Sequence, residues 1–238
     1  MTSVKITLFQ KDLSQPVSPE QRTKLSKEKS DFLILPLYFP GGGNGSPESL
    51  ASRAKTFLDE IFAISEVYKG AIFGGGMFRR DDEGKLRFSI PIVQNIVLVD
   101  WYDVKGLSSE DSPAIPGSGE DSLILGGFRF GIFAGKEIQD KSKLEKLKSD
   151  RINLAFHLDS VSDNGTNYSQ DLKNYADLSS QYGMFLVRSS GYGVPFGKKR
   201  IGRSLLSTPT GVTWKVAETE QEKEIIKTVN INGINGLF

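Results

Sequence analysis

The residues that could do chemistry in this chain are few. Its one histidine, His157, closes the apolar run Leu154-Ala155-Phe156 and is followed by Asp159 and Ser160. Any Ser–His–Asp relay would have to pass through that imidazole. A relay drawn from this segment alone fails on geometry, because adjacent residues of a strand point to opposite faces. His157 therefore reads as a structural histidine in preference to a catalytic one. The chain has no cysteine. That removes thiolate nucleophiles, disulfides, thiolate metal sites and iron–sulfur clusters together. One histidine also excludes a multi-histidine metal centre. The carboxylates of Asp81-Asp82-Glu83-Gly84 could meet a hard cation, but they lack EF-hand spacing and read as a turn. No metal and no cofactor are expected.

The remaining motifs are weak. The glycine clusters at Gly41 to Gly45, Gly74 to Gly76 and Gly191-Tyr192-Gly193 lack the GxGxxG and P-loop spacings, so turns and close backbone approach account for them. Lys198-Lys199-Arg200 is too short a basic run for a nucleic-acid site and reads as a solvated loop. Thirty Lys and Arg against 29 Asp and Glu leave a net charge of +1. No large field recruits nucleic acid or an anionic membrane. No apolar run reaches the ~18 residues of a membrane helix. The start, Met1-Thr2-Ser3-Val4-Lys5-Ile6, reads as a strand and not as a signal peptide. The expectation is a cytoplasmic protein with no nucleic-acid and no membrane partner.

The elements that must position these residues follow from periodicity. The 238 residues, 38% hydrophobic and 25% charged, suit one large domain or two small ones and can bury about three quarters of the unfolded surface. Val4 to Phe9 alternates and predicts a strand. Ser18-Pro19-Glu20 predicts an N-cap and a solvated helix running to Lys29. Phe32-Leu33-Ile34-Leu35-Pro36 is a continuous apolar run, the mark of a strand covered on both faces. Ser46-Pro47-Glu48 caps a second helix, with Leu50, Ala54, Phe57, Leu58, Ile61 and Ile64 at helical spacing. Hairpins follow: 71–78, 86–93 and 96–102 as strands, then a polar loop from Ser108 to Gly119. Two strands meet across Gly126-Gly127. A polar helix spans 140–149, a strand 152–158, a helix 169–182, and a buried strand 184–187. Strands at 204–207, 212–216 and 225–231 close the chain. Mixed strands with helices between some of them argue for an α/β protein whose sheets are covered by helices.

The order of these segments resembles the nitrilase, or carbon–nitrogen hydrolase, superfamily over nearly the whole chain. Lys5-Ile6-Thr7-Leu8-Phe9-Gln10 is similar to that family's opening strand with its glutamine. Asp31 to Phe39 resembles the strand that ends Leu-Pro-Glu-Tyr-Phe. Trp101 to Leu107 resembles the Tyr-Arg-Lys-x-His-Leu segment. Pro116-Gly117, with Phe128 to Ile138, resembles the Arg-x-Gly-x-x-x-Cys-Tyr-Glu-Ile strand and elbow. Arg203-Ser204, Pro209-Thr210-Gly211 and Thr228 to Ile231 resemble the closing motifs. Each motif alone is weak, and their collinear order carries the resemblance.

The resemblance implies a single 1–238 domain folded as a four-layer αββα sandwich, and a homodimer. It also implies a Glu–Lys–Cys triad in which a thiolate attacks the carbon, the glutamate moves the proton and the lysine stabilises the oxyanion. Carried over residue by residue, the glutamate position is Leu37 and the cysteine position is Gly135. The lysine position is Val104 in an ungapped reading, or Lys105 if the loop slips by one. Leucine accepts no proton and glycine is no nucleophile, so the expectation is a catalytically degenerate homologue, a pseudoenzyme. Its pocket could hold a small amide, acid or amine, or the protein could serve as a scaffold. The alternative is a carbon–nitrogen (amide) hydrolase with relocated acid–base groups, Glu110, Lys105 and Lys136, that activate water directly. The pocket candidates are thus Lys105, Glu110, Lys136, Glu137 and His157. Glu110 resembles an assisting glutamate of the family. Glu137, two residues after the nucleophile position, reads as a carboxylate bonded to backbone in preference to an acid–base group. Lys136 reads equally as a solvated lysine or as a pocket charge.

Overall fold

The structure is a computed structural model that describes residues 2–42, 45–109, 113–163 and 167–236. The first half contains β1 (Thr2–Gln10), α1 (Pro19–Leu25), β2 (Phe32–Ile34), α2 (Pro47–Ala51), α3 (Ala54–Ser65), β3 (Ala71–Phe73), β4 (Met77–Arg80), β5 (Leu86–Gln94) and β6 (Val97–Asp103). The second half adds β7 (Ser122–Leu125), β8 (Phe128–Ala134), α4 (Lys141–Ser149), β9 (Leu154–Asp159), β10 (Val161–Ser162), α5 (Tyr168–Tyr182) and β11 (Phe185–Ser190). It ends with β12 (Arg200–Ile201), β13 (Leu205–Thr208), β14 (Gly211–Lys215) and β15 (Ile225–Ile234).

Two sheets face each other. Among the described residues, one has the order β15-β1-β2-β3-β5-β4, with β6 also on β5, and the other has the order β14-β13-β11-β9-β8-β7. The pairs β1–β2, β2–β3, β8–β9 and β9–β11 at their centres are parallel. Among them β2 carries the continuous apolar run: Phe32, Leu33 and Ile34 are all buried, as expected of a strand covered on both faces. Between the sheets Phe32, Phe73, Phe130 and Phe156 interlock, four pairs edge to face with ring centroids 5.2–5.9 Å apart and Phe130–Phe156 tilted at 4.7 Å. Aromatic pairs prefer that geometry over flat stacking. Helices α2 and α3 cover the outer face of the first sheet, and α5 covers the second with α4 beside it. The architecture is the expected αββα sandwich. No helix among the described residues is long and apolar enough to cross a membrane.

Local differences from the sequence reading have physical causes. The first helix stops at Leu25, with Ser26 as its C-cap, because residues 26–29 offer no apolar side chain to anchor another turn. Lys27 and Glu28 instead donate to the carbonyls three residues back. The helix read over 47–64 is two, broken at Ser52-Arg53, where the Ser52 hydroxyl bonds the Ser49 carbonyl at 2.7 Å. Such side-chain bonds compete with the helical ladder. The run 71–78 splits into β3 and β4 because the intervening glycines pack on the segment after β2. A Cβ on Gly75 would stand 1.7 Å from the Pro36 carbonyl oxygen.

Candidate functional site

Leu37 and Gly135, far apart in sequence, meet at the same end of the two sheets. Leu37 follows β2, and its N–H donates to the Asp159 carbonyl at 3.3 Å. Gly135 follows β8 with φ +50 and opens a 3-10 turn, Gly135–Gln139. That left-handed backbone favours glycine. Leu37 is buried, and its Cδ2 lies 3.4 Å from where a Cβ on Gly135 would stand. Its Cδ1 stands at the same 3.4 Å from a Cβ on Gly76. An aliphatic side chain thus occupies the space before the elbow. Beyond it, the Tyr38 ring packs at 5.5 Å on Phe88 and 5.0 Å on Phe196, and its hydroxyl is 3.1 Å from the Ser108 hydroxyl.

On the opposite side of the elbow, Glu137 gathers donors. Its carboxylate accepts from the Tyr102 hydroxyl at 2.7 Å, the Lys105 N–H at 2.6 Å, the Gly106 N–H at 3.0 Å, the Ala134 N–H at 3.0 Å and Lys143 Nζ at 3.1 Å. It ties the segment after β6 to the end of β8. Burial opposes ionisation of Glu137, but Lys143 and the hydrogen bonds outweigh it and hold the carboxyl below its ordinary range. Burial lowers Lys143, countered by Glu137. Burial raises Tyr102, helped by the same carboxylate.

Val104 is buried in the ladder, donating to the Phe88 carbonyl at 2.9 Å and accepting from Gly117 at 3.0 Å. Lys105 is paired: its Nζ is 2.6 Å from Asp121 Oδ1. Lys105, Lys136 and Glu137 line one cavity of about 250 Å³, together with Gly106, Asp140 and Lys143. Lys136 is an exposed member of that lining. Glu110 lies outside the described residues.

His157 stands behind the elbow, buried. Its Nε2 is 2.7 Å from the Gly135 carbonyl oxygen and its Nδ1 2.5 Å from the Tyr175 hydroxyl. The Nε2–H donates to that carbonyl, which leaves Nδ1 to accept from Tyr175. Burial holds the imidazole below its ordinary pKa, against the pull of Asp159. Asp159 pairs with Arg188 at 2.6 Å, and Arg188 with Asp171 at 2.7 Å. Burial raises Asp159, but Arg188 and His157 overcome it and bring the carboxyl down to about 2. Ser160 donates its N–H to Asp159 and makes no bond to His157. Among the described residues no group of three or more His, Asp or Glu side chains could hold a metal ion.

Sequence reasoning missed Tyr102, Lys143, Arg188 and Asp171. Two left a readable trace. Arg188 interrupts the apolar run Phe185-Leu186-Val187, and Lys143 falls on the face of α4 that buries Leu144 and Leu147. A charge at a position whose neighbours are buried must be paired.

The fold is shared with solved structures that include an amidase from the nitrilase superfamily. No family model and no curated protein sequence matches the chain. Among solved structures it is similar to the glutamine-dependent NAD+ synthetase from Acinetobacter baumannii, at 16% identity and a TM-score of 0.80, over 97% of this chain and 46% of that one. It thus spans about half the synthetase's length. It is similar to the amidase from Nesterenkonia sp. AN1 at 14% identity and a TM-score of 0.77, over 96% of this chain and 90% of that one. A further structure of that amidase, described as from the nitrilase superfamily, matches at 15% identity and a TM-score of 0.74.

Proposed function

We propose that this chain is a catalytically degenerate member of the nitrilase superfamily, a pseudoenzyme working in the cytoplasm as a small-molecule-binding or scaffold protein. The observation that supports the reading is the approach of Leu37 to Gly135: among the described residues, Leu37 Cδ2 is the atom nearest to where a Cβ on Gly135 would stand, at 3.4 Å. Loss of a nucleophile costs several powers of ten in rate. One solved structure bears on which loss matters more. In a glutamate-to-leucine mutant of the Nesterenkonia amidase, the acetamide moiety of fluoroacetamide is still added covalently at the active-site cysteine. By that comparison the missing thiol, more than the missing acid, ends covalent chemistry here. Losing both makes the floor more apolar and less anionic, so weak or no affinity for typical amide substrates is expected. Pairing of two copies, drawn from the resemblance, belongs to the same proposal.

The shared cavity of Lys105, Lys136 and Glu137 supports a second reading, an amide hydrolase that activates water with Glu110 and Lys105. It takes second place because Lys105, Glu137 and Lys143 are held in ion pairs. The test is a panel of amides, nitriles and N-carbamoyl compounds offered to the purified protein. No turnover is expected. Hydrolysis that tracks the protein through purification and disappears in Lys105→Met and Glu110→Gln would establish the second reading and overturn the first.

A further inference from the structure

A second cleft, of about 240 Å³, opens between the loop after β1 and one face of α3. Its floor is apolar, built from Leu13, Phe39, Pro40 and Phe57, and Arg53 and Glu60 stand along its side. Arg53, Phe57 and Glu60 recur at helical spacing, so all three share one face of α3 and its N-cap. The two charges differ in what they already hold. Glu60 is engaged: it accepts from the Val17 N–H at 2.7 Å and faces Arg22 at 3.7 Å. Arg53 has no carboxylate partner among the described residues; its guanidinium lies 5.0 Å over the Phe57 ring. A stacked guanidinium keeps its edge donors directed outward in the fork that matches a carboxylate.

A second cation stands behind the floor. Lys11 is wholly buried behind the floor, 3.9 Å from the centre of the Phe39 ring, and donates to the carbonyls of Asp12 and Gln15. It holds the cleft's loop in shape and places positive charge behind an apolar wall. Its charge is faced by the carboxylates of Asp12, Glu60 and Glu224, so the donor left to a ligand is the Arg53 guanidinium. The cleft's volume equals roughly eight waters, below that of sites for drug-sized ligands.

We propose that this cleft binds a small organic monocarboxylate with an apolar body, the carboxylate on Arg53 and the body on Leu13, Phe39 and Phe57. The inference stands apart from the reading of the elbow and survives its failure. The test is a nuclear magnetic resonance titration of the full chain with phenylacetate and with hexanoate, using phenylacetamide and phenethylamine as matched neutral and cationic probes. Saturable shifts centred on Leu13, Arg53 and Phe57 are expected for the acids. Arg53→Gln should weaken binding about tenfold or more, as for loss of a charge-assisted hydrogen bond. Arg53→Lys should retain part of the affinity, and the neighbouring Lys55→Gln should change it less than about twofold, as for an exposed charge. The proposal falls if neither acid saturates below about 10 mM, if the amide or amine binds as tightly as the acid, or if Arg53→Gln binds unchanged.

Discussion

The two sides of Gly135 differ in what surrounds them. Toward Leu37 the structure is aliphatic and aromatic: Leu37 itself, then Tyr38, Phe88 and Phe196. Toward Glu137 it is ionic, with one carboxylate serving five donors, and behind it the His157–Tyr175 and Asp159–Arg188–Asp171 contacts continue the network. The charges around Glu137 are paired, while on the other side the atom nearest to where a Cβ on Gly135 would stand, among the described residues, is the aliphatic Leu37 Cδ2. Buried ionic groups endure when each is paired, and an apolar pocket needs no partner.

That contrast can be broken from the polar side first. Glu137→Leu removes the acceptor from Lys143 and from two backbone N–H groups of the segment after β6. Breaking a buried pair in this way costs about 3–5 kcal/mol, read as a loss of unfolding free energy in urea. A loss below about 1 kcal/mol, the range of an exposed pair, would show that the clamp does not hold the elbow.

The apolar side gives the next effect. Leu37→Glu places a carboxylate between Gly135 and Gly76 with no donor provided for it, a cost of about 2–3 kcal/mol at neutral pH. Burial raises such a group's pKa, so the deficit relative to the unaltered protein should shrink as pH falls and the carboxyl protonates. A variant as stable as the parent at neutral pH would mean the space is wet and polar.

The smallest effect is read from pH alone. Asp159 titrates near 2 in the folded chain against an ordinary 3.8. A depressed carboxyl contributes stability above its unfolded pKa and loses it as pH falls through the folded one. About 2 kcal/mol should therefore disappear between roughly pH 4 and pH 2, and Asp159→Asn should flatten that limb. His157 works in the same direction from a higher pH. Its folded pKa lies below 6.5, so the unfolded chain takes up a proton first and stability declines as pH drops below that value. Denaturant unfolding followed across pH separates the two limbs.

Much of the frame was legible in sequence. The central strands announced themselves by apolar runs, since a strand covered on both faces has no polar side to show. The helix starts at Ser18 and Ser46 announced themselves by their caps, and both make the cap hydrogen bond. The structure places Leu37 beside Gly135, the two positions singled out by the collinear motifs. The polar network was not legible. His157 meets Gly135 and Tyr175 through tertiary packing, and nothing in local spacing pairs Glu137 with Tyr102 and Lys143.

The amino-acid order alone determined which chemistries this protein lacks: with no cysteine and one histidine, no thiolate and no multi-histidine site can be assembled by any fold. Only the tertiary structure decided how the remaining charges are used. Lys105 bonds Asp121, and the Arg53 guanidinium lies over the Phe57 ring. Composition limits which groups exist, whereas pairing depends on distances of a few ångströms between segments remote in the chain, which packing alone sets.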